Sequence, residues 1–364
     1  MEEHKMEQDK KIDFEEFASR KSLLSLPVHQ SHIKSVENCK RRYFFQYRLG
    51  ILPKTKVGGD AATNGTLVHI LIANHLLKQS RDIALAECNQ LLESYIDRWM
   101  MTPGQMHTTE DEMRAKMAKQ LALALAMVDC LLETKIFKDL EDKFIVEAVE
   151  EYVKTKVRVE RNSITPNSFH DIKIAGTLDL ILRNKETGTL WVWDHKTMAS
   201  NLKLEQYQKT VLYNPQTWVY RELGRAICGD TPAGMVFCAI KRPSIRQKKE
   251  ESYDEYLKRV QDWYAGKDLS VVEENNRKND EKPIGLWVQR IDPKEEIPKD
   301  VQRRMSETHQ LSKTNKYFLY NRADHDKCFH FMSWCDYLPL CSTEPDKFDK
   351  IIDSRFRYTK DGRS

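Results

Sequence analysis

The sequence predicts an α/β protein: a small mixed central β-sheet flanked by helices, with helical additions at the N- and C-terminal ends. Three observations carry this. The N-terminal third spaces its apolar residues at helical intervals. The middle switches to alternating and β-branched runs, with one helical pattern inserted among them. The C-terminal third is charged and returns to helical spacing, so helices precede and follow a compact run of strands.

The elements follow in order. Residues 1–20 are highly charged and are expected to be flexible. Ser31 is placed as the cap of one helix carrying Ile33, Val36, Cys39, Tyr43 and Tyr47. "VGGDAATNG" is a loop ending at Gly65, and "TLVHILIANHLLK" then forms a helix with His69 a little over one turn beyond the glycine. Helices are expected at about 82–100 and 109–135; the second contains "KQLALALAMVDCLL", apolar nearly all round and therefore buried. Near 144 the period changes. "FIVEAVEEYVKTKVRVE" gives a strand or two, while "HDIKIAGTLDLILRN" and "TLWVWDHKT" give a hairpin across "KETG". "NPQTWVYRELGRAIC" is a helix from Pro215 that stops near Gly224 or Gly229. "AGMVFCAIKR" is a buried strand, a charged helical segment follows, and "GLWVQRI" is strand-like before a helix at about 294–313.

Length and charge narrow the classes. A chain of 364 residues suits one large domain or two smaller ones. One domain is expected over 21–345: a helical part at about 30–138, a catalytic core at about 142–242, a charged helical segment at about 243–313 and a cysteine-bearing tail at about 321–345, with 346–364 a C-terminal tail. Lys plus Arg number 59 against 55 for Asp plus Glu, a net charge of +4, which speaks against a tail-driven nucleic-acid binder but leaves room for a basic groove. No apolar run of ~18 residues marks a membrane span, and "MEEHKMEQDKK" is no secretory signal. A cytoplasmic, reducing compartment is therefore expected, where the eight cysteines are buried thiols, metal ligands or catalytic groups rather than disulfides. No P-loop is present, so a helicase motor would be a separate chain.

The chemistry concentrates in the hairpin. Alternate residues of a strand share a face, so Asp194 and Lys196 point one way and His195 the other. If the strands pair around "KETG", Asp179 lies beside Asp194, among Leu178, Leu180, Val192 and Trp193. Two carboxylates in such surroundings stay ionised only with a cation between them. A hard divalent ion such as Mg²⁺ or Mn²⁺ fits. A lysine one pleat away can hold the attacking water or stabilise charge on a phosphate. Taken alone, "D-x-K" reads as a surface salt bridge.

"GTLDLI", fifteen residues before "DHK", resembles the PD-(D/E)XK nuclease superfamily in its RecB-like branch. "NGTLVH" and "QTWVY" fall in the order of that branch's helical histidine and its Q-x-x-x-Y element. The layout is most similar to phage-type exonucleases, and more distantly to AddB-type nuclease domains and CRISPR-adaptation exonucleases. The resemblance implies a restriction-endonuclease-like core. It implies His69, Asp179, Asp194 and the backbone carbonyl of His195 as metal ligands, with Lys196 orienting the attacking water and Gln216 and Tyr220 positioning DNA or the lysine. An acid on an earlier strand is expected too, with Glu150 the candidate and Glu147 its rival. Without the resemblance, His69 is an ordinary packed histidine, and Gln216 and Tyr220 are ordinary amphipathic residues one turn apart.

Among the cysteines, Cys39 stands near one end and Cys328, Cys335 and Cys341 near the other. No pair has zinc-finger spacing. The resembling nucleases carry one cysteine before the core and three after it, which implies a [4Fe–4S] cluster. Met332 stands where the commoner tail places a cysteine, and buried thiols remain the alternative. Cys88, Cys130, Cys228 and Cys238 sit in core-like contexts. For nucleic-acid contact, "CKRRYFFQYR" offers Arg41, Arg42 and Tyr43, and "IKRPSIRQKK" offers Lys241 and Arg242. A helix with an aromatic core face explains the first stretch equally well.

The expectation is thus a Mg²⁺- or Mn²⁺-dependent deoxyribonuclease, an exonuclease on DNA ends or single strands, serving recombination, repair or phage DNA metabolism beside a separate recombinase or helicase. The alternatives are a catalytically silent nucleic-acid-binding or recombination-partner protein of the same fold, and a metallohydrolase with another substrate.

Overall fold

The switch in periodicity falls at Phe144, where the last N-terminal helix runs directly into the sheet. The structure, a computed structural model, describes residues 26–53, 60–100, 109–160, 169–199, 214–243, 245, 248, 250–265, 284–292, 295–313, 329–330, 333–341, 343 and 347–359. In chain order the first elements are α1 (Gln30–Asn38), α2 (Lys40–Tyr43), β1 (Ile51–Pro53), α3 (Asp60–Leu76), α4 (Arg81–Met100), α5 (Glu110–Leu132) and α6 (Lys135–Lys143). The middle comprises β2 (Phe144–Glu160), β3 (Phe169–Asn184), β4 (Leu190–Ala199), α7 (Gln216–Cys228) and β5 (Gly234–Arg242). Then come α8 (Tyr253–Ala265), β6 (Ile284–Arg290), α9 (Lys299–Leu311), β7 (Phe329–His330), β8 (Ser333–Trp334), α10 (Leu338–Cys341), α11 (Phe348–Arg355) and β9 (Phe356–Tyr358). Where the sequence suggests one domain over 21–345, the chain divides into two compact units. One takes 1–56, 159–172 and 302–364; the other takes 57–158 and 173–301.

In the first unit, β1 pairs antiparallel with β9, joining distant parts of the sequence. Phe44, Phe45, Ile51, Tyr337, Phe348 and Phe356 form its buried centre. The single helix expected from Ser31 is interrupted. Ser31 lies inside α1, whose cap is His29. Cys39 is extended (φ −164°, ψ 112°), and its Sγ accepts the Arg42 N–H at 3.5 Å, so a new helix starts there. Phe44–Arg48 then form a π-turn. The apolar spacing could not show this break, because burial continues across it.

The second unit holds most of the sheet. Its strand order is β2-β3-β4-β5-β6. β3 and β4 are antiparallel, β4 and β5 parallel, and β5 and β6 antiparallel. The hairpin turns where "KETG" predicts it: Asn184 Oδ1 accepts the N–H groups of Glu186 and Thr187 at 3.0 and 2.8 Å, and Gly188 takes φ +68°. A parallel neighbour requires a crossover, which α7 supplies. It starts after Pro215 and stops at Gly229, whose φ of +78° is the left-handed conformation of a helix end. On one face of the sheet, Leu180, Leu182, Trp193 and Val236 pack with Leu67, Val68 and Ile72 of α3 and Met127 and Leu131 of α5. α5 is started by a capping box: Thr109 Oγ1 accepts from Glu112 N–H, and Glu112 Oε2 accepts from Thr109 N–H. α7 covers the opposite face, where a Cβ on Gly176 would lie 2.9 Å from Leu223 and 3.6 Å from the Tyr220 ring.

Candidate active site

The hairpin register sets the centre of the site. Leu180 lies opposite Trp193, so the next positions along the two strands are Asp179 and Asp194. Both are buried, Asp194 completely. Asp179 Oδ2 accepts the His195 N–H at 2.7 Å. Asp194 Oδ1 accepts from Lys196 Nζ and from Gln216 Nε2, each at 2.7 Å. Its other oxygen, Oδ2, is buried with no hydrogen-bond partner among the described residues. A buried carboxylate oxygen left bare costs about 1–3 kcal/mol or more, which invites a cation.

The first helix of this unit supplies the next group. His69 lies on α3, and its Nε2 is 3.0 Å from the carbonyl oxygen of His195. Its Nδ1 is 3.1 Å from Glu150 Oε1 and 3.5 Å from Asp179 Oδ2. The helix comes this close because Gly65, one turn earlier on the same side, has no side chain: a Cβ there would sit 3.0 Å from Thr197 Oγ1 of β4. His69, Glu150 and Asp179 each offer a ligand atom, and these atoms lie within 4.8 Å of one another. Of the two candidate acids on β2, Glu150 is the one at the site; Glu147 accepts from Arg183 Nε at 2.6 Å instead.

Glu150 reaches the site through an unusual backbone. Its φ is +48°, in a strand interior. Before it, the inward residues of β2 are Phe144, Val146 and Ala148, and then the adjacent Val149; after it they are the odd ones, Val153, Thr155 and Val157. An inserted residue in a β-bulge reverses side-chain alternation in this way. Nothing in the residue types of "AVEEYV" signals it.

Charge is balanced tightly. Burial disfavours the His69 cation, yet Asp179 and the Glu150 hydrogen bond outweigh it and raise the pKa to about 9. Burial raises Asp194 to about 6, Lys196 opposing and Asp179 adding to the rise. For Lys196, burial is outweighed by Asp194 and Asp179, so it stays a cation. The His195 ring packs edge-on against the His69 ring, their centroids 6.1 Å apart. Trp193 Nε1 donates to the His195 Nδ1 at 3.3 Å, and burial first, then His69 and Lys196, hold the His195 ring neutral.

α7 contributes from the other side. Gln216, buried, is held by Asn214, whose Oδ1 accepts the Gln216 N–H at 3.0 Å and whose Nδ2 donates to Gln216 Oε1 at 3.2 Å. Sequence reasoning passed over Asn214; an Asn two residues ahead of a helical Gln is its only signal. Tyr220 lies one turn on, its hydroxyl kept protonated by burial and by the Asp194 charge.

A family model described as the PD-(D/E)XK nuclease superfamily matches residues 28–342. The chain belongs to the PD-(D/E)XK nuclease superfamily. No curated protein matches it significantly. PD-(D/E)XK nucleases use divalent metals, and the His69, Glu150 and Asp179 group could hold one here. The bare Asp194 Oδ2 fits the same requirement. As a PD-(D/E)XK nuclease the chain has its mixed five-stranded sheet between helices, and no described helix is long and apolar enough to cross a membrane.

Several expected contact residues are placed differently. Tyr43 is buried against Val36, Tyr47 and Leu311, so its ring cannot stack on a base. Arg41 is buried too, with Nη1 donating to the Cys341 carbonyl at 3.1 Å. Lys241 is 5% exposed and sits in the strand beneath Tyr264, whose hydroxyl donates to the Lys241 carbonyl at 2.7 Å. These three face inward because their stretches continue core patterns. Arg42 and Arg242 are half-buried. Cys328 lies outside the described residues, while Cys39, Cys335 and Cys341 all belong to the first unit.

Proposed function

We propose that the protein is a divalent-metal-dependent deoxyribonuclease, an exonuclease that hydrolyses phosphodiester bonds at DNA ends or in single strands. The observation that carries this reading is the bare Asp194 Oδ2 beside a His69–Glu150–Asp179 group, with Lys196 bonded to the same carboxylate. His69, Glu150, Asp179, Asp194 and the His195 carbonyl would hold Mg²⁺ or Mn²⁺, all oxygen or imidazole donors. The ion supplies Lewis-acid stabilisation of charge on the phosphate and leaving oxygens.

The chain's own groups do the rest. Lys196 Nζ, fixed by Asp194, has donors left to hold the attacking water or a phosphate oxygen. Gln216 fixes Asp194 from the second side, and Asn214 fixes Gln216. Tyr220, a neutral donor, would bond the substrate phosphate. Burial strengthens each of these interactions by excluding water.

The test is cleavage of end-labelled linear and circular DNA with Mg²⁺ or Mn²⁺. Wild type is expected to degrade the linear form from its ends, and Asp194→Asn and Lys196→Ala to lose this. Undiminished cleavage by either variant would sink the assignment.

We also propose that Cys39, Cys328, Cys335 and Cys341 hold a [4Fe–4S] cluster with a structural role, joining the two ends of the sequence. Cys39 and Cys335 interact electrostatically: burial pushes the Cys335 thiol up, the Arg42 guanidinium opposes this, and charge on Cys39 adds to it. Anaerobically purified protein should be brown, with iron and sulfide that Cys335→Ala loses. Colourless, iron-free protein from that preparation would reject the cluster. A place in recombination, repair or phage DNA metabolism, with a recombinase or helicase as a separate chain, accords with this chemistry.

A further inference from the structure

The strand that carries Glu150 changes character beyond it. Between residues 147 and 151 its exposed residues are acids, Glu147, Glu150 and Glu151. From residue 152 onward the exposed residues are Tyr152, Lys154, Lys156 and Arg158, every second position. The residues between them, Val153, Thr155 and Val157, turn inward. The alternation changes over Ala148, Val149 and the left-handed Glu150. Had the alternation of Phe144, Val146 and Ala148 continued, the three cations would point inward. One backbone feature therefore delivers a carboxylate to His69 and turns a basic row to solvent.

We propose that Tyr152, Lys154, Lys156 and Arg158 form a track for one single strand of DNA, extending from the metal site. This deepens the nuclease reading and rests on it. Two-residue steps along a strand place successive cations about 6.7 Å apart. That repeat is close to the spacing of phosphates in an extended single strand. β2 is an edge strand of the sheet, so no other strand covers its outer side among the described residues. Tyr152 is 41% exposed, and Lys154 Nζ lies 5.4 Å from its ring centroid. An exposed aromatic ring beside cations is what sequence-tolerant binding of unpaired bases uses. Lysines on an edge strand also deter strand pairing between molecules. That role needs no ring and no charge sorting, with acids at the metal end and cations beyond.

The test uses the full chain in a Lys196→Ala background, so that a labelled single-stranded oligonucleotide stays intact with Mg²⁺. Affinity is followed by anisotropy across salt concentrations. Removing three phosphate contacts in Lys154→Ala/Lys156→Ala/Arg158→Ala should lower the slope of log affinity against log salt by about 2, and affinity by about tenfold or more. Tyr152→Ala should lower affinity about tenfold and leave the slope unchanged. The charge-matched control Lys78→Ala/Lys138→Ala/Lys143→Ala, at exposed positions on other elements, should change neither. The track is overturned if the first triple variant keeps wild-type slope and affinity, if the control loses as much, or if only duplex binding falls. It is also overturned if the triple variant self-associates while DNA affinity holds. Loss of the track alone would appear against a wild type that cleaves and binds DNA. A wild type that does neither would overturn the nuclease reading as well.

Discussion

His69 Nε2 lies 3.0 Å from the main-chain carbonyl of His195, and the two imidazole rings meet edge to face, their centroids 6.1 Å apart. The two histidines thus meet twice, through the His195 backbone oxygen and ring to ring. The helix residue offers a charged ring to the site, while the strand residue offers its peptide and a neutral ring. Everything else at the site is arranged around that contact: Asp179 holds the His195 N–H, and Glu150 holds the far side of the His69 ring.

Asp194 and Lys196 separate catalysis from stability. Asp194→Asn keeps an acceptor for Gln216 but removes the anion, and Mg²⁺-dependent cleavage should fall by about 10²–10³-fold. Lys196→Ala should lower activity similarly and also leave a buried carboxylate without its cation. Urea unfolding of metal-free protein should show it about 1–3 kcal/mol less stable. Saturating Mg²⁺ should return part of that loss.

His69 predicts a pH dependence for the metal-free protein. Its pKa is raised from the ordinary 6.5 to about 9. The stabilisation is therefore complete below about pH 6.5 and lost as pH rises through about 9. Its size is about 3 kcal/mol, an upper limit since the side chain keeps 23% of its surface exposed. Unfolding in chelator from pH 6 to 10 should show this decline in wild type and not in His69→Ala. Metal binding needs the neutral ring, so Mn²⁺ titration should release a proton and tighten with rising pH.

Gly65 and Thr197 should be coupled. A Cβ at 65 meets Thr197 Oγ1 at 3.0 Å, so Gly65→Ala should push α3 outward and weaken Mn²⁺ affinity about tenfold. Thr197→Ala should do little alone and should restore affinity in the double variant. Equal, additive losses in the four-protein cycle would show that this contact does not set the position of His69.

The backbone at Glu150 can be tested apart from its carboxylate. Glu150→Gly and Glu150→Ala both remove the acid and should both lose metal affinity. In an ordinary strand the glycine variant is the less stable. At φ +48° it should be the more stable by about 1 kcal/mol, because only the alanine pays a Cβ clash. Thermal or urea unfolding of the pair reads the sign directly.

Local chemistry was legible wherever a residue type dictates its own geometry. Gly188 and Asn184 mark the hairpin turn, Thr109 and Glu112 the start of α5, and Gly229 the end of α7. Alternation places Asp194 and Lys196 together. Three features had no such mark. Cys39 breaks a helix whose apolar spacing continues across it, Glu150 takes a conformation its type disfavours, and Asn214 acts only because Gln216 lies above it. Tyr43 and Lys241 carried the composition of a binding surface but are covered by neighbours distant in sequence.

The sequence by itself determined the order of helices and strands, the turn between β3 and β4, and the acid–lysine strand end, because these follow from periodicity and turn chemistry within a few residues. Only the tertiary structure decided that Glu150 rather than Glu147 meets His69, that the bare oxygen of Asp194 is buried, and that the His195 carbonyl is reached from α3. Those depend on how closely α3 and α7 pack against the sheet at Gly65 and Gly176, and on one left-handed residue in β2. Contacts across 126 residues, such as His69 to His195, are set by packing, which no local pattern records.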